Sequence, residues 1–246
     1  MLVLRSLAFN ALFYCWSAIL QIICLPTIPV SRRAVTWVQR TWVRGNFALL
    51  ALLCDLRYEI RGRERLPREP CIIAAKHQSA WDTMIFALLI KRPGHVFKRE
   101  LLWVPVFGWY LLRAGGIPID RKGGAGALKR MIAAARQTVA EGRHIVIFPE
   151  GTRIAVGERV PYHPGVAALY TQLKVPVVPV ALNSGLFWGR RSFLKNPGRI
   201  VLEFLEPIPP GLRRREFLEV LAQRIEPASA ALAAEARAGL ERGPCG

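Results

Sequence analysis

The chain is short of acid: seventeen Asp and Glu stand against thirty-five Lys and Arg, a formal net charge of +18 over 246 residues. Such an excess points to an anionic partner, and nucleic acid and membrane surfaces are the two common ones. Hydrophobic residues make up 52% of the chain, its basic residues are dispersed, and no nucleic-acid-binding module is present. Nucleic acid is therefore excluded in favour of an anionic membrane. Cysteine is scarce and scattered: Cys15, Cys24, Cys54, Cys71 and Cys245 show no CxxC or CxxH spacing. That excludes a disulfide framework and a zinc site, and leaves thiols that pack as small hydrophobes. There is no internal repeat. No GxGxxG or GxxxxGK[ST] follows a strand, so the "GGAG" at 123–126 is a loop and helix lead-in and not a nucleotide fingerprint. Ser79 and Ser184 lack a GxSxG elbow and no cysteine stands in a reactive setting, which argues against a serine or cysteine hydrolase with its covalent acyl-enzyme.

Charge is missing altogether from Leu7 to Val30, "LAFNALFYCWSAILQIICLPTIPV". A membrane-spanning helix needs about 20 such residues. Asn10, Gln21, Pro26 and Pro29 weaken a simple span, and a secretory signal lacks a clear cleavage site. Arg32 and Arg33 follow directly and put the rest of the chain on the cytoplasmic side. A second apolar stretch runs over 34–56, with Arg33, Arg40 and Arg44 on one helical face and Trp37 and Trp42 suited to a headgroup interface. Residues 1–56 thus read as two membrane-associated helices that span once or dip into one leaflet. A buried hairpin within a soluble domain is the plainer alternative.

From 57 onward, short apolar runs alternate with helical stretches. Strands are predicted at 57–62, 71–76, 95–98, 116–119, 144–148, 175–182 and 199–205, and helices at 82–91, 100–113, 125–141, 165–174 and 213–225. The C-terminal helical region is expected to break at Pro227, with 241–246 as a frayed tail. This is an α/β fold, a mainly parallel sheet flanked by helices behind the N-terminal two-helix segment. Functional residues are expected at the carboxyl ends of the strands.

Four stretches carry chemistry. In "KHQSAWD", His77 lies in the loop after a strand and Asp82 in the first turn of a helix. Five residues apart on one helix, the two side chains diverge; across a loop and a helix start they can meet, and Asp can then orient the imidazole as a base. The plainer reading is that Asp82 serves the helix N-terminus alone. In "HIVIFPEGTR", Gly151 allows close backbone approach, Thr152 donates to oxyanions, and Arg153 presents a fork suited to a phosphate monoester, although a Glu150–Arg153 ion pair would explain the same residues. "GIPIDR" ends in Asp120 and Arg121, where Arg121 is either a second phosphate ligand or half of a structural pair. "VPVVPVAL" reads as a core strand forming a wall of the site.

Taken in order, HQSAWD (77–82), GIPIDR (116–121), FPEGTR (148–153) and VPVVPV (175–180) resemble the four blocks of the glycerolipid acyltransferases, most closely the 1-acyl-glycerol-3-phosphate acyltransferases. The resemblance spans about half the chain and makes 57–246 the acyltransferase domain. It implies His77 as the base that deprotonates a lysophospholipid hydroxyl, which attacks an acyl thioester, and Asp82 as the group that orients it. It implies acceptor binding by Lys98, Arg121, Glu150, Gly151, Thr152 and Arg153, with acyl-CoA or acyl-carrier protein as donor and no metal or other cofactor. Two departures stand out: Lys76 where the family often has Asn, and Pro118 where a bulky apolar residue is common. Lys76 adds charge that would lower the His77 pKa or attract a CoA phosphate. Rival acceptors are glycerol-3-phosphate and a lyso-aminolipid such as lyso-ornithine lipid. The rival of another class is a non-catalytic protein that binds anionic membranes.

Overall fold

The computed structural model describes residues 1–121 and 123–241; Lys122 and the tail beyond Glu241, including Cys245, lie outside them. All seven apolar runs form strands: β1 (Leu56–Arg61), β2 (Ile72–Ala75), β3 (Gly94–Lys98), β4 (Ile117–Ile119), β5 (Ile145–Ile147), β6 (Val177–Leu182) and β7 (Gly198–Phe204). They make one sheet in the order β1-β7-β6-β2-β5-β3-β4. Every neighbouring pair is parallel except β6 and β7, which are antiparallel. The sheet is therefore mainly parallel, with β1 and β7 reversed against the other five strands.

Alternation along each strand supplies both faces of the sheet with apolar side chains. Ile73 and Ala75 face a core shared with α1 (Leu2–Ile23), α3 (Arg32–Cys54) and α4 (Trp81–Leu89), filled by Phe9, Phe47, Trp81 and Phe86. Ile72 and Ala74 face the opposite core, where α6 (Gly124–Ala140), α7 (Pro164–Leu173) and α8 (Arg214–Glu241) contribute Met131, Leu169, Phe217 and Leu221. Each fully buried side chain of this kind stabilises the fold by roughly 1.5–3 kcal/mol. The N-terminal helices share the first of these cores with the sheet, so Phe9, Val43 and Phe47 are part of the fold's interior.

Two elements depart from the sequence expectation. The helix expected at 100–113 divides into a 3-10 turn (Arg99–Trp103) and α5 (Phe107–Arg113). Pro105 imposes extended backbone on Val104, at φ −73° and ψ 113°, which no helix continues through. In contrast, Pro227 does not break the C-terminal helix. α8 runs through it because Phe217, Leu221 and Ile225 are buried before the proline and Leu232 and Ala233 after it. Packing on both sides outweighs the hydrogen bond that proline removes.

At the N-terminus the two expected helices are joined by a short α2 (Thr27–Val30). α1 is long and apolar enough to cross a membrane by length and composition. Its outer side exposes Val3, Leu7, Leu12, Ile19 and Ile22. Its inner side is bonded to protein: the Ser17 hydroxyl accepts from the Trp42 indole at 2.8 Å. Trp37 is exposed, as a headgroup anchor requires, but Trp42 turns inward, contrary to expectation, because Ser17 satisfies its N–H. Arg33 and Arg44 are exposed, whereas Arg40 donates to the Leu88 carbonyl at 3.0 Å and so caps the end of α4.

Candidate active site

The five mutually parallel strands bring their carboxyl ends to one edge of the sheet. β2 runs into His77, β3 ends at Lys98, β4 leads to Arg121, β5 to Pro149–Arg153 and β6 to Ser184. The fold gathers there the residues that the sequence spreads over 107 positions, from His77 to Ser184.

His77 and Asp82 meet. His77 Nδ1 lies 3.1 Å from Asp82 Oδ2, and the same oxygen accepts from the Gln78 and Ser79 N–H groups at 2.6 and 2.7 Å. The loop wraps around the carboxylate, so serving the helix start and orienting the histidine are one role and not alternatives. The other oxygen, Oδ1, accepts from the Ser184 hydroxyl at 2.5 Å. Asp82 is fully buried and accepts four hydrogen bonds, which fix its geometry. A proton on Nδ1 leaves the lone pair of the neutral ring on Nε2, which has no protein partner among the described residues. The ring stacks on Phe148, with centroids 3.9 Å apart and planes 19° off parallel.

His77 sits in the wall of a cavity of about 800 Å³. Part of its lining is apolar, supplied by Phe13, Leu20, Val35, Val38, Trp42 and Tyr110 from α1, α3 and α5. Its lining also includes five cations, Lys98, Arg121, Arg153, Arg190 and Arg191. Gly151 and Thr152 line it as well. Gly151 adopts φ +67°, and a Cβ there would stand 2.8 Å from His163 Cδ2, so the tight turn demands glycine. Burial lowers the pKa of Arg153; the Asp82 carboxylate raises it, and Arg190 lowers it again. Burial likewise lowers that of Arg121, against the opposing charge of Glu100. Lys98 is half-exposed and pairs with Glu100 at 3.2 Å. A histidine held by a buried carboxylate thus shares one cavity with cationic and apolar side chains, an arrangement suited to acylating a phosphorylated amphiphile.

A family model described as Acyltransferase matches residues 57–183. A 1-acyl-sn-glycerol-3-phosphate acyltransferase of Pseudomonas aeruginosa is 37% identical over 198 residues, 80% of this chain and 76% of that one. The chain belongs to the acyltransferase family. A sheep 1-acyl-sn-glycerol-3-phosphate acyltransferase alpha is 30% identical over 215 residues, covering 85% of this chain and 74% of the relative. The fold is that of the 1-acyl-sn-glycerophosphate acyltransferase crystal structure from Thermotoga maritima, with a TM-score of 0.77 at 22% identity over 95% of this chain and 98% of that one.

Two expectations for this acyltransferase need correction. Lys76 does not add charge beside the base. Strand alternation sends it to the opposite face from His77, where it is 2% exposed. There Lys76 Nζ donates to both carboxylate oxygens of Glu226 at 2.8 Å and lies 3.1 Å from Glu150 Oε1. The Tyr162 hydroxyl donates to Glu226 at 2.7 Å. Glu150, for its part, is not among the residues that line the cavity: its carboxylate is buried beside Lys76. Burial pushes Glu150 up to about 7, against the charge of Lys76. The pair braces the loop from below: Lys76 stands at the end of β2, Glu150 in the loop after β5, and Glu226 on α8.

Ser184, Arg190, Arg191, Tyr162 and Glu226 escaped the sequence reading. A serine without an elbow, an arginine pair and a polar helix carry no local signature. The signal that was available was position, since Ser184 follows a strand of the same parallel set.

Proposed function

We propose that this acyltransferase transfers a fatty acyl group from an acyl thioester, acyl-CoA or acyl-carrier protein, to the free hydroxyl of 1-acylglycerol-3-phosphate, giving phosphatidate. His77 Nε2 takes the hydroxyl proton as the oxygen attacks the thioester carbonyl. The tetrahedral intermediate expels the thiolate by breaking the C–S bond, and the imidazolium returns its proton to that sulfur. Asp82 holds the ring and stabilises its charged form. Arg121 and Arg153 bind the acceptor phosphate, Gly151 and Thr152 shape the loop, and Lys98 stands at its rim. Glu150 acts on this site by bracing the loop and not by touching the substrate.

The observation that carries this reading is the His77–Asp82 contact in the wall of one cavity whose lining is part apolar and part cationic. The acyl chains lie along the apolar lining, entering from the membrane between α1 and α5. The exposed apolar side of α1, together with exposed Trp37, Trp103 and Trp109, supports seating on one leaflet at the cytoplasmic face. Lys and Arg in excess supply the attraction to anionic lipid.

The test is thiol release from a long-chain acyl thioester by the full-length protein in lipid nanodiscs. Lysophosphatidate, glycerol-3-phosphate and lyso-ornithine lipid are offered in parallel, with acyl-CoA and acyl-carrier protein as donors. Release with lysophosphatidate, lost in His77→Ala, is the expected result. Release with another acceptor alone would replace phosphatidate as the product, and no acceptor-dependent release from either donor would end the reading.

A further inference from the structure

Arg190 and Arg191 form an exposed turn after β6 that lines the same cavity as Arg121 and Arg153, and no block of the sequence accounts for them. Neither pairs with a carboxylate among the described residues. The Arg190 guanidinium instead donates to the backbone carbonyl of Arg153 at 3.3 Å, near enough for its charge to lower the Arg153 pKa. The Asp82 carboxylate opposes part of that charge, and an anion joining the pair would relieve the rest.

The turn is also held under strain. The Ser192 N–H closes it onto the Gly189 carbonyl at 3.1 Å, and Arg191 within it has φ +56°, a left-handed conformation that costs a non-glycine residue. The surroundings enforce it. Lys195, 1% exposed, donates to the Ser192 and Phe193 carbonyls at 3.0 and 2.8 Å and to Asn10 at 3.3 Å. Its ammonium lies 5.0 Å from the Trp188 ring centroid. Asn10 returns a bond to the Phe193 carbonyl, and the Lys195 N–H donates to Ser6. The polar residues that interrupt α1 thus fasten this turn to the membrane helix.

The charges do not balance around one substrate. Arg121 and Arg153 together match a single phosphate monoester, which carries about two negative charges. Two further arginines call for a second anion in the same cavity. A two-residue turn suits a compact polyphosphate, whereas an acidic protein surface needs a wider basic face.

We propose that Arg190 and Arg191 form a second anion subsite that holds the phosphates of a CoA thioester donor, apart from the acceptor's phosphate at Arg121 and Arg153. This deepens the proposed function and rests on it for the identity of the two substrates.

The test measures binding of CoA itself, without an acyl group, to the full-length protein in nanodiscs, alongside steady-state kinetics. Arg190→Ala/Arg191→Ala is expected to weaken CoA binding about tenfold and to raise the acyl-CoA KM by the same factor, leaving the lysophosphatidate KM alone. Arg191→Gly removes one guanidinium while relieving the left-handed strain. It should weaken CoA binding in the same direction with an unchanged or higher melting temperature, which a merely structural arginine would not do. Unchanged CoA binding in both variants overturns the proposal. So does a lysophosphatidate KM that rises in place of the donor's, or a loss confined to acyl-carrier protein. Because CoA binding needs no turnover, a protein that binds CoA through this pair but acylates nothing would sink the proposed function and leave the subsite standing.

Discussion

The Ser184 hydroxyl donates to Asp82 Oδ1 at 2.5 Å, joining residues 102 positions apart, one after β6 and the other in the first turn of α4. Asp82 is thus held from both oxygens: the loop that carries His77 satisfies one, and the neighbouring strand satisfies the other. The orientation of His77, the proposed base, depends on the sheet as much as on the HxxxxD spacing.

Removing the base and loosening its support should differ in size. His77→Ala is expected to lower kcat roughly 10²–10⁴-fold. Ser184→Ala keeps the base and deletes one bond to a buried carboxylate, so kcat should fall about tenfold with the acceptor KM unchanged. Pre-steady-state thiol release measures both. Equal losses in the two variants would place Ser184 in the chemistry and contradict a positioning role.

Arg153→Lys keeps the charge and loses the fork. The lysophosphatidate KM should rise roughly tenfold, with little change in kcat and none in the donor KM. Titrating the acceptor at saturating donor checks this. A normal acceptor KM would move the acceptor's phosphate to another cation.

Glu150 makes stability depend on pH. Its folded pKa, pushed up to about 7 by burial, stands above the ordinary 4.5. Between those values the folded protein keeps a proton that the unfolded chain has released, so this group's contribution to stability falls as pH rises from about 4.5 to about 7 and is level above. Glu150→Gln cannot ionise and should lose that decline, read as urea midpoints at pH 5 and pH 7.5. An unaltered difference between the two midpoints would assign the slope to other groups.

Val38 belongs to the apolar lining of the cavity and is 2% exposed. Val38→Phe should shorten the accepted acyl chain, lowering kcat/KM for an eighteen-carbon donor by roughly tenfold relative to a ten-carbon one. A uniform loss across chain lengths would mean that the acyl chain lies elsewhere.

Much of this was legible in the sequence, for a local reason. Strands and helices follow from the period of apolar residues along the chain, and all seven strands lie where that period places them. Proline misled in one direction only. Pro105 ended its helix as its chemistry requires, whereas Pro227 was overruled by Phe217, Leu221, Ile225 and Leu232, whose burial is not a property of the residues beside it. Lys76 shows how a local rule goes unused: neighbouring residues at a strand end point to opposite faces, which sends Lys76 away from His77 before any contact is known.

By itself, then, the sequence determined the α/β class, the apolar N-terminal helix, the order of the blocks and the candidates His77, Asp82, Arg121 and Arg153. Tertiary structure alone decided that Ser184 supports Asp82, that Lys76 and Glu226 brace Glu150, and that Arg190 and Arg191 face the same cavity. Those contacts depend on strand order. β6 lies beside β2, and β2 beside β5, although their paired residues, Ile72 with Val177 and Ile72 with Ile145, are far apart along the chain. Periodicity reports which face of an element is buried, but not which distant element will cover it.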